Sequence, residues 1–111
     1  MEIEKVATIL AELGNSVRLK VVRLLVQVGK GGVPVGRIQA ELGIPASTLS
    51  HHLSHLKAVG LIWQQRERTT LWCVMDYELL NSVIAFLKEE CCIGLPQQEH
   101  SQHASSLTEV A

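Results

Sequence analysis

No apolar run in the 111-residue chain approaches the roughly 20 residues that a bilayer span needs. The opening Met1-Glu2-Ile3-Glu4-Lys5 is acidic and amphipathic, unlike a secretory leader, so a cytoplasmic location is expected, with no membrane partner. There is no glycine-rich phosphate loop, no nucleophile elbow and no carboxylate pair in a plausible cleft, which leaves an enzyme without support. Cysteine is scarce, with three residues, Cys73, Cys91 and Cys92. An odd count in a cytosolic chain argues against a disulfide framework and toward free, metal-binding or redox thiols. Acid is scarce in one region. Between Asn15 and Thr70 eight Lys or Arg face only Glu41 and Glu67, whereas both flanks are acidic and the net charge is −1. A basic middle between acidic ends is the footprint of a polyanion partner; ordinary surface scatter is the competing reading.

What is present is apolar and periodic. Hydrophobic residues make up 47% of the chain, which argues for a folded domain rather than disorder. Ile3, Val6, Ala7, Leu10 and Leu13 follow helical spacing, and Gly14 ends that helix. Asn15 or Ser16 caps the next, which turns Val17, Val21, Leu24, Leu25 and Val28 inward. After the Gly29–Gly32 loop, Pro34 fits the first turn of a short helix with Val35, Ile38 and Leu42 as its stripe. Gly43-Ile44-Pro45 is a tight turn, and Ala46 to Val59 a fourth helix. Leu61 to Arg66 and Thr69 to Met75 read as two strands, joined by a turn without Gly or Asn whose type the sequence leaves open. Asp76 caps a last helix that Gly94 and Pro96 stop. Residues 1–95 form the expected domain; 96–111 are polar, rich in Ser and Gln, and expected to be a disordered tail. The fold class is mainly α with a β-hairpin wing, in the order α-α-α-α-β-β-α of a winged helix-turn-helix.

On the fourth helix Leu49, Leu53 and Leu56 share one side. The opposite face carries Ser47, His51, Ser54 and His55, with Thr48 at its edge, and Ser50 completes the set of short polar groups for base edges or phosphates in a major groove. The face lacks Glu and Asp, which would repel phosphate, and a hairpin with Arg66 and Arg68 follows, where a wing grips backbone or minor groove. A solvated face that happens to hold Ser and His is the bland alternative. His52 falls at the border of the core face, as a buried, hydrogen-bonded anchor. His51 and His55 at i, i+4 are a usable zinc pair, with no third ligand close in sequence.

Leu13-Gly14-Asn15-Ser16-Val17-Arg18-Leu19, and Ser50-His51-His52-Leu53-Ser54-His55-Leu56-Lys57-Ala58-Val59-Gly60-Leu61-Ile62, resemble the ArsR/SmtB family of metalloregulatory repressors, over about Ile3 to Gly94. The resemblance implies a homodimer built from the first and last helices, binding to double-stranded operator DNA at an inverted repeat, and repression relieved by an inducer. Of that family's inducer sites, the Cys-x-Cys before the turn is absent, and the last helix has Asp76 but no His. The remaining match is Glu90-Cys91-Cys92-Ile93-Gly94 at the end of the last helix, which resembles arsenic repressors with a vicinal Cys pair. It implies trivalent arsenic, as arsenite or an organoarsenical, as the inducer held by Cys91 and Cys92. Two thiolates per chain suit a monosubstituted organoarsenical, or arsenite with a non-thiol third ligand. Cys73 is expected to pack, and His100 and His103 are weak further donors. Glu89, Glu90 and the helix C-terminus should raise the thiol pKa values, which disfavours oxidation. A thiol redox sensor, another metal, two merely small residues, or a protein-docking winged helix are the other readings.

Overall fold

The computed structural model describes residues 1–96; the polar tail expected from 97 on, with His100 and His103, lies outside the described residues. The chain runs α1 (Ile3–Leu13), α2 (Ser16–Val28), β1 (Val33–Pro34), α3 (Val35–Leu42), α4 (Ala46–Ala58), β2 (Ile62–Glu67), β3 (Thr70–Met75) and α5 (Tyr77–Lys88). Local chemistry sets several boundaries. The Asn15 carboxamide accepts from the N–H groups of Val17 (2.9 Å) and Arg18 (3.1 Å), and Asp76 accepts from Leu79 N–H (3.0 Å), so a side chain caps part of the open donor set at both helix starts. Gly43, at φ 63°, ends α3 and opens the turn that Pro45 closes.

The core forms where the stripes meet. Ile38 of α3, Leu49, Leu53 and Leu56 of α4, and Val21, Val22 and Leu25 of α2 are all buried, with Val6 and Ile9 of α1 and Val83 of α5. The sheet closes one side through Leu61, Ile62, Cys73 and Met75. The Tyr77 hydroxyl donates to Leu25 C=O at 2.6 Å, tying the start of α5 to α2. Ile3 and Leu10 on α1, and Ile84 and Leu87 on α5, remain exposed. No helix among the described residues is long and apolar enough to cross a membrane.

Val28, expected to face inward at the end of α2, is exposed, and the structure departs further from the sequence expectations at two elements. The sheet has three antiparallel strands in the order β1-β3-β2, with Val33 opposite Cys73 and Pro34 opposite Trp72. Pro34 is therefore the last residue of an edge strand and the N-cap of α3, rather than part of its first turn. A two-residue strand has no periodicity to read, and an edge tolerates proline. The second departure is the last helix, which ends at Lys88, so Cys91 and Cys92 lie beyond it rather than at its end. Past Leu87 the chain reads Lys88-Glu89-Glu90, with nothing to bury, and packing is what sustains a short helix. Glu89 is extended (φ −55°, ψ 135°), and Glu90 (φ 60°) and Cys92 (φ 67°) are left-handed. Two turn bonds order this segment, Cys91 N–H to Lys88 C=O (3.0 Å) and Ile93 N–H to Glu90 C=O (3.4 Å).

Candidate nucleic-acid interface

Helix α4 divides as its sequence predicts. Leu49, Leu53 and Leu56 are buried; Ser47, Thr48, Ser50, His51 and Ser54 are exposed; His55 is half-buried. The exposed groups are not equally available. Ser54 Oγ donates to His51 C=O at 2.7 Å, so its one proton is spent within the helix and it offers only lone pairs. The His51 ring stands edge-on to His55 at 4.6 Å between centroids.

His52 is half-buried rather than buried, and its Nδ1 lies 3.2 Å from Arg18 Nη1. Guanidinium can only donate, so Nδ1 accepts and the proton of the neutral ring sits on Nε2. Desolvation lowers the His52 pKa below 6.5, helped by the charges of Arg18, His51 and His55. The unfolded chain binds the proton more readily, so this contribution to stability is present above pH 6.5 and is lost as pH falls from there through the lower folded-state pKa of His52. An NMR titration of the histidine rings should place the His52 midpoint below 6.5; a midpoint at or above it contradicts the desolvated placement of the ring beside Arg18.

Helix α1 supplies what a reading of α4 alone misses. Glu12 Oε2 lies 3.0 Å from His55 Nδ1 and 3.4 Å from Arg18 Nε, although neither approach has hydrogen-bond alignment. Arg18 Nε donates instead to Glu12 C=O at 2.6 Å. The recognition face itself carries no acid, but one stands behind it and engages His55. No group of three His, Cys, Asp or Glu suited to a metal ion occurs among the described residues.

The wing presents Arg66 and Arg68 to solvent. Glu67 pairs with Thr70, leaving a two-residue loop, Arg68-Thr69, in which only Arg68 has positive φ (59°). That sign pattern is the II′ turn, whose first central position favours glycine. Arginine there strains the backbone and projects a cation from the wing tip. Arg68→Gly is expected to stabilise the fold by about 1 kcal/mol while weakening DNA binding. Thermal melts paired with DNA titration test it, and a variant that loses stability contradicts the turn assignment.

The cysteines separate into two environments. Cys73 is fully buried on β3, where burial raises its pKa and Gln64 Nε2 approaches its Sγ at 3.4 Å; that is a packing position. Cys91 and Cys92 are exposed, with their sulfurs 3.1 Å apart. The Cys91 pKa is raised, as the sequence suggests, but the chief causes are the hydrogen bond and charge of Cys92, with a smaller part from desolvation, rather than the neighbouring glutamates.

A helix-turn-helix domain model matches residues 13–64, from the end of α1 into β2. The chain is 30% identical over 89 residues to the HTH-type transcriptional regulator YgaV of Escherichia coli (strain K12), covering 80% of this chain and 88% of that one. The chain belongs to the HTH-type transcriptional regulators. The regulator is also 38% identical over 86 residues to the uncharacterized HTH-type transcriptional regulator MJ1325 of Methanocaldococcus jannaschii, covering 78% of this chain and 94% of that one. Among solved structures it resembles Mb0332 of Mycobacterium bovis, a homodimeric winged helix-turn-helix DNA-binding domain described as a possible ArsR-family transcriptional regulator. The TM-score is 0.60 at 26% identity, over 83% of this chain and 90% of that one. The regulator thus has the winged, ArsR-type fold, and its relatives are transcriptional regulators rather than enzymes.

Proposed function

We propose that this regulator is a homodimeric repressor that binds an inverted-repeat operator and releases it when trivalent arsenic, as arsenite or an organoarsenical, bridges Cys91 and Cys92. The observation that carries the sensor reading is the exposed vicinal pair, with sulfurs 3.1 Å apart. Soft thiolates select soft ions, and the ion itself drives deprotonation of a thiol whose pKa is raised. The exposed stripes Ile3 and Leu10 on α1 and Ile84 and Leu87 on α5 support a dimer through the first and last helices, as apolar faces that a second copy covers. Ser47, Thr48, Ser50 and His51 meet base edges and phosphates, with Ser54 and His55 nearer the protein side, and Arg66 and Arg68 hold the backbone.

The same 3.1 Å spacing supports one other reading, a redox switch. There both thiols lose a proton and together two electrons to a peroxide, forming a vicinal disulfide and water. The raised Cys91 pKa weighs against it.

The test starts from an operator selected out of a random DNA pool, titrated in parallel with arsenite, a trivalent phenylarsenical, zinc and hydrogen peroxide. Release by the arsenicals alone supports the proposal; release by peroxide alone replaces it with the redox reading. On the same operator His51→Ala should cost about tenfold to a hundredfold in affinity and leave mixed-sequence DNA binding intact. Unchanged operator affinity in His51→Ala and in Arg66→Ala with Arg68→Ala favours a protein-docking surface instead.

A further inference from the structure

Between the exposed side of α4 and the inner edge of the wing lies a cleft of about 130 Å³. Leu53 and Leu71 form its apolar wall, and Ser50, Ser54, Lys57 and Gln64 supply its polar atoms. Lys57 Nζ donates to Gln64 Oε1 at 3.0 Å, and Gln64 Nε2 reaches the buried Cys73 Sγ at 3.4 Å. The two contacts fix which way the amide points: an ammonium can only donate, so the oxygen must face Lys57, and the NH₂ is then left for sulfur. Gln64 is in turn held in the sheet by its register opposite Cys73. The flexible lysine is thereby pinned at the mouth of the cleft by a neutral partner. No ion pair joins Lys57 to a carboxylate among the described residues, whereas the Arg37 guanidinium is bound to Glu41 at 2.9 Å. Lys57 keeps two of its three donors, and the Ser50 hydroxyl stands on the same rim.

We propose that this cleft is a phosphate clamp, in which Lys57, oriented by Gln64 and assisted by Ser50, holds one DNA backbone phosphate between the recognition helix and the wing. The inference rests on the reading of this chain as a DNA binder, and adds Lys57 and Gln64, which belong neither to the base-reading face nor to the wing tip, beside Ser50 of that face. The contact is blind to sequence, because it touches only the backbone, and it fixes the depth at which α4 enters the groove.

The probe is a labelled duplex of mixed sequence, about 25 base pairs long, titrated by fluorescence anisotropy over a series of salt concentrations. For the full-length wild type the logarithm of affinity should fall linearly with the logarithm of salt. Lys57→Gln should reduce that slope by about 0.9 per chain bound, the value of one phosphate contact, with its thermal midpoint unchanged; Lys57→Arg should restore the slope. Gln64→Glu, which sets a carboxylate against the same ammonium, should lower the slope as Lys57→Gln does although the lysine remains. A wild-type slope in both Lys57→Gln and Gln64→Glu overturns the clamp and leaves Lys57 as a strut between helix and wing. Wild-type protein with no salt-dependent binding overturns both the clamp and the DNA-binding reading on which it stands.

Discussion

Serine at either Cys91 or Cys92 is expected to abolish release of operator DNA by arsenite and by a trivalent phenylarsenical, while leaving affinity without inducer unchanged. The argument is one of geometry and chelation. For bonds of about 2.3 Å, the length that thiolates make to zinc, sulfurs at the observed spacing subtend about 85° at the ion. That is close to the near-right angle of a trivalent atom bonding through p orbitals, and narrower than a tetrahedral ion prefers. A single thiol forfeits the second, intramolecular bond, and with it the high effective concentration that makes a chelate hold. Both residues are exposed and outside every helix and strand, so serine should move neither the thermal midpoint nor the DNA slope. The measurement is inducer titration against operator-bound protein. Release that persists in both variants would sink the assignment of the sensor and leave the DNA interface untouched.

The second large effect is on stability. Gly32→Ala should destabilise the domain by about 3 kcal/mol, a value that belongs to backbone strain and clash rather than to an ordinary surface change. Gly32 has φ 79°, and a Cβ there would lie 2.7 Å from Cys73 C=O and 2.9 Å from Val74 Cγ2. The carbonyl belongs to the central strand and cannot step aside without breaking the pairing of β1 with β3. For a domain of this size the shift amounts to roughly 15 °C in melting temperature. Gly36→Ala is the control. It sits in α3 with nothing within 4 Å of the added methyl, and alanine there should gain roughly 0.5–1 kcal/mol. Calorimetry of the pair decides it, and equal midpoints would refute the close packing of the loop on the sheet.

The features legible in the sequence were those whose causes are local. Asn15 and Asp76 cap helices because of what lies two or three residues further on, and the Leu49, Leu53 and Leu56 stripe follows from the pitch of a helix. The hairpin was legible too, but not its turn type, because the residue that takes positive φ is an arginine. Strand β1 exists only because β3 is there to pair with it. Glu12 lies in the acidic N-terminal flank, 43 positions from the histidine it meets, and no pattern within α4 points to it. The Lys57–Gln64–Cys73 chain likewise depends on strand register. The end of α5 is set at Lys88, where the core-facing stripe stops, six positions before the stop signal Gly94.

That early end has a bearing on how such a regulator changes its specificity. The thiols stand on a short turn closed by its own backbone bonds, Lys88 to Cys91 and Glu90 to Ile93, and contribute nothing to the core. Residues 89–94 are therefore a cassette. If Cys91 and Cys92 hold the inducer as proposed, exchanging these residues would alter what the regulator detects without cost to the fold or to the DNA-binding surface, and new inducers would be reachable by a few substitutions at one solvent-exposed corner.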